Sequence, residues 1–142
     1  MKTKGLLFIL TIFLCFASCD NREETYELGG VYVGETVGFS IFDDDNVKLC
    51  VDRHFNFYNR SSQTVEFAFV KHYVYKIQMI NKIPDDGWTD TIESIHIQDG
   101  YVARLLRDDG TYEYSRFYVY NIDFDQNAKQ FVLCKYQSNI SL

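Results

Sequence analysis

Short runs of aromatic and β-branched residues recur along most of this chain, each closed by a cluster of Asp, Asn, Ser or Gly. No other feature constrains the fold as much. The clusters are Asp43-Asp44-Asp45-Asn46, Asn59-Arg60-Ser61-Ser62, Pro84-Asp85-Asp86-Gly87, Asp99-Gly100, Asp108-Asp109-Gly110 and Asp125-Gln126-Asn127. Asp-Gly between alternating runs is a strong hairpin signal, because glycine accepts the positive φ that tight hairpin turns require. No window repeats apolar residues with a 3.6-residue period. The 12 Phe, 11 Tyr and single Pro suit pleated, half-buried strands. Strands are expected near 30–34, 36–42, 47–58, 64–70, 72–80, 91–97, 101–107, 112–122 and 130–137. The expected fold is all-β: a single antiparallel meander of about eight strands that closes into a small barrel or folds into a β-sandwich.

The alternation also assigns faces. Val65, Phe67 and Phe69 point one way, and Glu66 and Ala68 the other. Along 47–57, Val47, Leu49, Val51, Phe55 and Phe57 share a face interrupted by Arg53. Lys48, Cys50, Asp52, His54 and Asn56 share the opposite one. Strands of this kind are buried on one side and wet on the other.

The start of the chain obeys different rules. Lys2 and Lys4 precede an apolar run from Leu6 to Ala17, interrupted only by Thr11. That run is too short for a spanning helix, which needs about 20 residues, and it matches the apolar part of a secretory signal. Phe16-Ala17-Ser18-Cys19 resembles a lipobox, the site where bacterial signal peptidase II cleaves before a lipid-modified cysteine. Phe16 departs from the usual Leu. The acid-rich stretch after Cys19 is similar to the surface-export signal of Bacteroidota-type lipoproteins. The resemblance implies a signal peptide over 1–18, a lipidated Cys19 with a flexible tether over 19–27, and a β domain over 28–142. It implies an outer-membrane lipoprotein of the cell envelope, acylated with palmitate-like chains, on the periplasmic face or the cell surface. Loss of Lys2 and Lys4 leaves 14 − 2 = 12 basic against 20 acidic residues, so the mature charge is −8. Anionic headgroups repel such a domain, which leaves the lipid to hold it. The acidity also excludes nucleic acid as a partner.

Leu28-Gly29-Gly30-Val31-Tyr32-Val33-Gly34 looks like the opening strand of small lipocalin-like β-barrel lipoproteins. That resemblance implies a meander barrel with a ligand inside, and no shared catalytic set.

The best candidate ligand site is a period-two stripe of Tyr112, Tyr114, Tyr118 and Tyr120 with Arg116 among them. Tyr73 and Tyr75 repeat the spacing on an earlier expected strand, and Trp88 flanks a turn. Amphipathic rings with one guanidinium suit a carbohydrate or a small apolar ligand. The alternative is a sheet face whose rings pack across strands. Cys50 and Cys134, on the third and last expected strands, are expected either as a disulfide or as two buried thiols. Asp90-Thr91-Ile92 resembles a Bacteroidota O-glycosylation site, making Thr91 a candidate for modification.

Catalytic motifs are missing. Cys50 and His54 on one strand lie about 13 Å apart, too far for a nucleophile and its base. His72 and His96 have no motif around them, and the histidines and cysteines lack zinc-finger spacing. Asp123 to Asn127 begins like a calcium loop, but Ala128 stands where glycine is required and Cys134 where a bidentate Glu is required. The reading from sequence is a non-enzymatic, lipid-anchored binding domain that uses no cofactor or metal. The alternative is a module that docks on an outer-membrane protein partner. A third option is an enzyme whose site would be a cleft holding carboxylates.

Overall fold

The computed structural model describes residues 25–142. The leader over 1–18 and the lipidation candidate Cys19 lie outside the described residues. The domain is all-β, with eight strands in two antiparallel sheets. The strands are β1 (Glu27–Tyr32), β2 (Leu49–Val51), β3 (Phe57–Asn59), β4 (Val65–Lys71), β5 (Thr91–Ile92), β6 (Gly100–Leu106), β7 (Tyr112–Phe124) and β8 (Gln130–Gln137). The larger sheet runs β1-β8-β7-β6-β4 and the smaller β2-β3-β5. The two do not close into a barrel.

Two turn signals produce the expected hairpins, whereas Asp99-Gly100 does not, because β6 pairs with β4 and β7 while β5 lies in the other sheet. Between β6 and β7, Gly110 takes φ +85° and its N–H donates to the Arg107 carbonyl. The Asp109 carboxylate accepts from the Thr111 N–H. Between β7 and β8, Asp125 Oδ1 accepts from the N–H groups of Asn127 and Lys129.

The core lies between the sheets. Phe57 of the small sheet packs against Phe67 (5.6 Å between ring centroids) and stacks on Phe117 (5.4 Å) of the large one, and Tyr101 stacks on the same Phe117. These rings occupy the space where a lipocalin-like barrel would hold a ligand, so the barrel expectation is corrected to two sheets on a filled core.

Four expected strands differ, and of the run 91–97 only Thr91–Ile92 is strand. The run 36–42 forms one bridge, Phe39 to Leu49, and Ile41 and Phe42 reach the core from a loop. The run 47–58 is two strands. Asp52 Oδ1 accepts from the His54 and Asn56 N–H groups and folds the chain into a turn. Cys50 and His54 therefore do not share a strand. The run 72–80 leaves the sheet altogether: Tyr73 takes a left-handed φ of 59°, and a short 3-10 helix follows at Ile77–Met79. This strap lies on the outer face of the large sheet. Its Val74, Ile77 and Ile80 are buried with Val102 and Tyr118, forming a second, smaller core. Gly100 permits the approach, since a Cβ there would stand 2.6 Å from Val74 Cγ2.

Cys50 and Cys134 are both buried and free, which corrects the disulfide expectation. Cys134 lies in the main core, whereas Cys50 Sγ sits 3.7 Å from the Thr36 carbonyl, away from it. Burial raises both thiols, Cys134 to about 12. Neither is poised as a nucleophile.

Candidate functional site

The small sheet does not cover the large one to its end, because β5 has only two residues. Phe69 follows Phe67 on the same face of β4, yet it is 47% exposed where Phe67 is buried. The uncovered region is a cleft of about 910 Å³. Phe67, Phe69 and Tyr101 line it from the large sheet, and the segment 89–96 lines it opposite.

Asp99 organises this cleft. It is 5% exposed and both its oxygens are engaged. His72 Nδ1 lies 2.6 Å from Oδ1, while His96 Nδ1 lies 3.6 Å and the Tyr101 hydroxyl 3.4 Å from Oδ2. Both imidazoles are largely exposed. Phe69 packs on the His72 ring with centroids 4.7 Å apart. Burial and the Asp99 charge raise the Tyr101 phenol well above its ordinary range, so it stays a hydrogen-bond donor.

Backbone strain gathers around the same place. Among the described residues six non-glycines have positive φ, and four of them border the cleft. Ser94 lines it directly, while Phe55, Tyr73 and Gln98 adjoin the lining residues Asn56, His72 and Asp99. Each such residue costs about 1–3 kcal/mol, and strain of this kind concentrates where a protein works. Cross-chain hydrogen bonds maintain it: Val74 N–H to the Gln98 carbonyl, Ile95 N–H to the Phe55 carbonyl, and Ser94 N–H to Asn56 Oδ1.

The cleft is acidic. Asp90 and Glu93 join Asp99 in its lining, with no lysine or arginine among the described residues. Among the described residues no group of three or more His, Cys, Asp or Glu side chains is arranged to hold a metal ion.

The tyrosine stripe lies elsewhere, on the outer face of the large sheet, and the strap divides it. Arg116 is buried and donates to the Ile80 carbonyl and to Gln137 Oε1, both at 2.8 Å. Tyr118 is buried and its hydroxyl donates to the Tyr75 carbonyl. At one end, the Arg104 guanidinium lies over Trp88 (4.2 Å) and Tyr112 (4.4 Å) and pairs with Glu66, and Trp88 adjoins Tyr114. At the other, Lys135 Nζ lies over Tyr120 (4.1 Å) and Tyr26 (4.4 Å). The expected platform is therefore not continuous, because its middle is covered and its ends stack on the protein's own cations. Tyr73 and Tyr75 lie on the strap, exposed and off the sheet face. Thr91 pairs with Tyr58 across β3 and β5 and lines the cleft, its hydroxyl near Asp90.

Sequence reasoning missed His72, His96 and Asp99. Asp99 looked like half of an Asp-Gly turn, and no spacing ties the two histidines to it. No known protein family, curated protein or solved structure matches this chain.

Proposed function

We propose that this is a lipid-anchored envelope domain that binds a small neutral ligand in the cleft between its sheets. The carrying observation is the buried Asp99 hydrogen-bonded to exposed His72, with exposed His96 3.6 Å away, in an open, strained, aromatic-walled cleft. Clefts that join apolar walls to a few convergent polar groups are the usual form of a ligand site. Asp90, Glu93 and Asp99 disfavour anions, while exposed Phe69 offers a flat apolar surface. A sugar ring, polar at its edge and apolar on its face, satisfies both demands. Anchoring rests on the lipobox resemblance at Cys19. No helix among the described residues is long and apolar enough to cross a membrane.

A glycan array probed with the purified protein tests the binding. Hits that weaken at least tenfold in Phe69→Ala and Glu93→Gln, but not in Tyr112→Ala, are expected. Hits insensitive to the cleft variants would move the site elsewhere. Incorporation of radiolabelled palmitate, lost in Cys19→Ser, tests the anchor. A second reading, docking on another envelope protein, is favoured by exposed Tyr73, Tyr75 and Ile97 on the segments that carry His72 and His96.

A further inference from the structure

We propose that His72 and Asp99 form a general-base dyad that hydrolyses neutral carboxylic esters in the cleft. The inference rests on the cleft being the binding site and goes beyond binding. A buried carboxylate bonded to one imidazole nitrogen fixes the ring's orientation and tautomer and leaves the other nitrogen to accept a proton. Here Asp99 Oδ1 sits 2.6 Å from His72 Nδ1, so the free nitrogen is Nε2, on a ring that lines the cleft. Phe69 packs on the ring's face and the Val74–Gln98 hydrogen bond ties its loop to the carboxylate's own turn. The Tyr101 hydroxyl donates to the second Asp99 oxygen at 3.4 Å, and the carboxylate is buried beneath the imidazole. The His72 imidazole, and not the buried Asp99 beneath it, therefore meets the ligand.

The chemistry balances with water as the only co-reactant. His72 Nε2 takes a proton from a water molecule as the water oxygen bonds to the ester carbonyl carbon. The tetrahedral intermediate then collapses. Its bond to the alkoxy oxygen breaks, and that oxygen receives the proton from the His72 imidazolium. The products are a carboxylic acid and an alcohol. The acidic lining selects the class, since Asp90 and Glu93 repel phosphate esters and spare neutral acyl esters. It also speeds departure of the anionic acid product.

The test is hydrolysis of p-nitrophenyl acetate by the purified, processed lipoprotein, with Asp99→Asn, His72→Gln and His54→Gln compared. Asp99→Asn keeps all three imidazoles, so it subtracts the intrinsic reactivity of histidine. The wild type is expected to exceed it by about a hundredfold or more, within the range positioned general bases supply. His72→Gln should bring the rate down to the Asp99→Asn level. His54→Gln should match the wild type, since His54 lies on the Asp52 turn outside the cleft lining. Should Asp99→Asn misfold, His72→Gln, whose side chain is 65% exposed, carries the test. Folded variants that hydrolyse at the wild-type rate would overturn the dyad. So would a wild type no faster than an equal concentration of free imidazole. Array hits that persist without hydrolysis would remove the dyad alone, whereas hits insensitive to Phe69→Ala would remove the cleft as the site.

Discussion

The tyrosine stripe and the Asp99 cleft are two concentrations of polar aromatic chemistry in one small domain, and they behave in opposite ways. In the stripe the cations find partners within the protein: Arg116 on Ile80 and Gln137, Arg104 between Trp88 and Tyr112, and Lys135 between Tyr26 and Tyr120. In the cleft the imidazoles and Phe69 keep open sides, and the backbone around them is strained. A regular pattern of rings along a strand marks packing, because neighbouring strands present partners at matching intervals. A site capable of outside work forms where partners run out, here at the end of the large sheet, where Phe69 stays half exposed.

The contrast can be broken most forcefully at the stripe's cover. Ile80→Ala removes a fully buried side chain from the small core and should cost about 2–5 kcal/mol in urea unfolding while leaving ligand binding within a few-fold. Arg116→Ala strands the Ile80 carbonyl and Gln137, and should cost about 2–4 kcal/mol. A cost below about 0.5 kcal/mol would free that arginine for ligand binding and erase the distinction. In the cleft the pattern reverses. Glu93→Gln should change stability by less than about 0.5 kcal/mol. It should nonetheless weaken ligand binding at least tenfold by calorimetry, which is about 1.4 kcal/mol.

The tyrosines sharpen the comparison by pH. Burial, with Glu27 hydrogen-bonded to its hydroxyl, raises Tyr136 to about 12, and Tyr101 is raised further by burial and Asp99. A pKa raised on folding means that the folded state holds the proton more tightly. Stability is therefore complete below the ordinary tyrosine value of about 10 and falls as pH climbs through the folded value. Melting temperature should decline from about pH 10 to 12 as tyrosinate absorbance appears, and the decline should be shallower in Tyr136→Phe. The smallest effect expected is none: with Cys50 and Cys134 unbonded, reductant should leave the melting temperature unchanged. Each thiol should react with a thiol reagent only on unfolding.

How much of this was legible depends on how local each cause is. The β6–β7 and β7–β8 hairpins follow from Asp109-Gly110 and Asp125, because the residues that make each turn are its own neighbours. The faces of β7 follow from period two, with Phe117 and Val119 inward and Tyr118 outward. The strap was misread because Val74, Ile77 and Ile80 satisfy a strand-like pattern while their partners, Val102 and Tyr118, are distant in the chain. The turn at Asp52 was hidden because its cause is one carboxylate accepting two backbone N–H groups, a choice that alternation does not encode.

The chain's own pattern was enough to determine an all-β domain and its principal hairpins, since these depend on neighbours a few residues apart. It did not determine the buried sides: Ala68 and Cys50, expected on wet faces, are buried, and Phe69, expected inward, is exposed. Tertiary structure alone decided that the sheets stay open rather than closing, that the strap covers the stripe, and that Asp99 meets His72 and His96. Those outcomes depend on which distant surfaces bury the most apolar area against one another. That competition is settled by shape and volume in three dimensions, and no spacing in the chain records it.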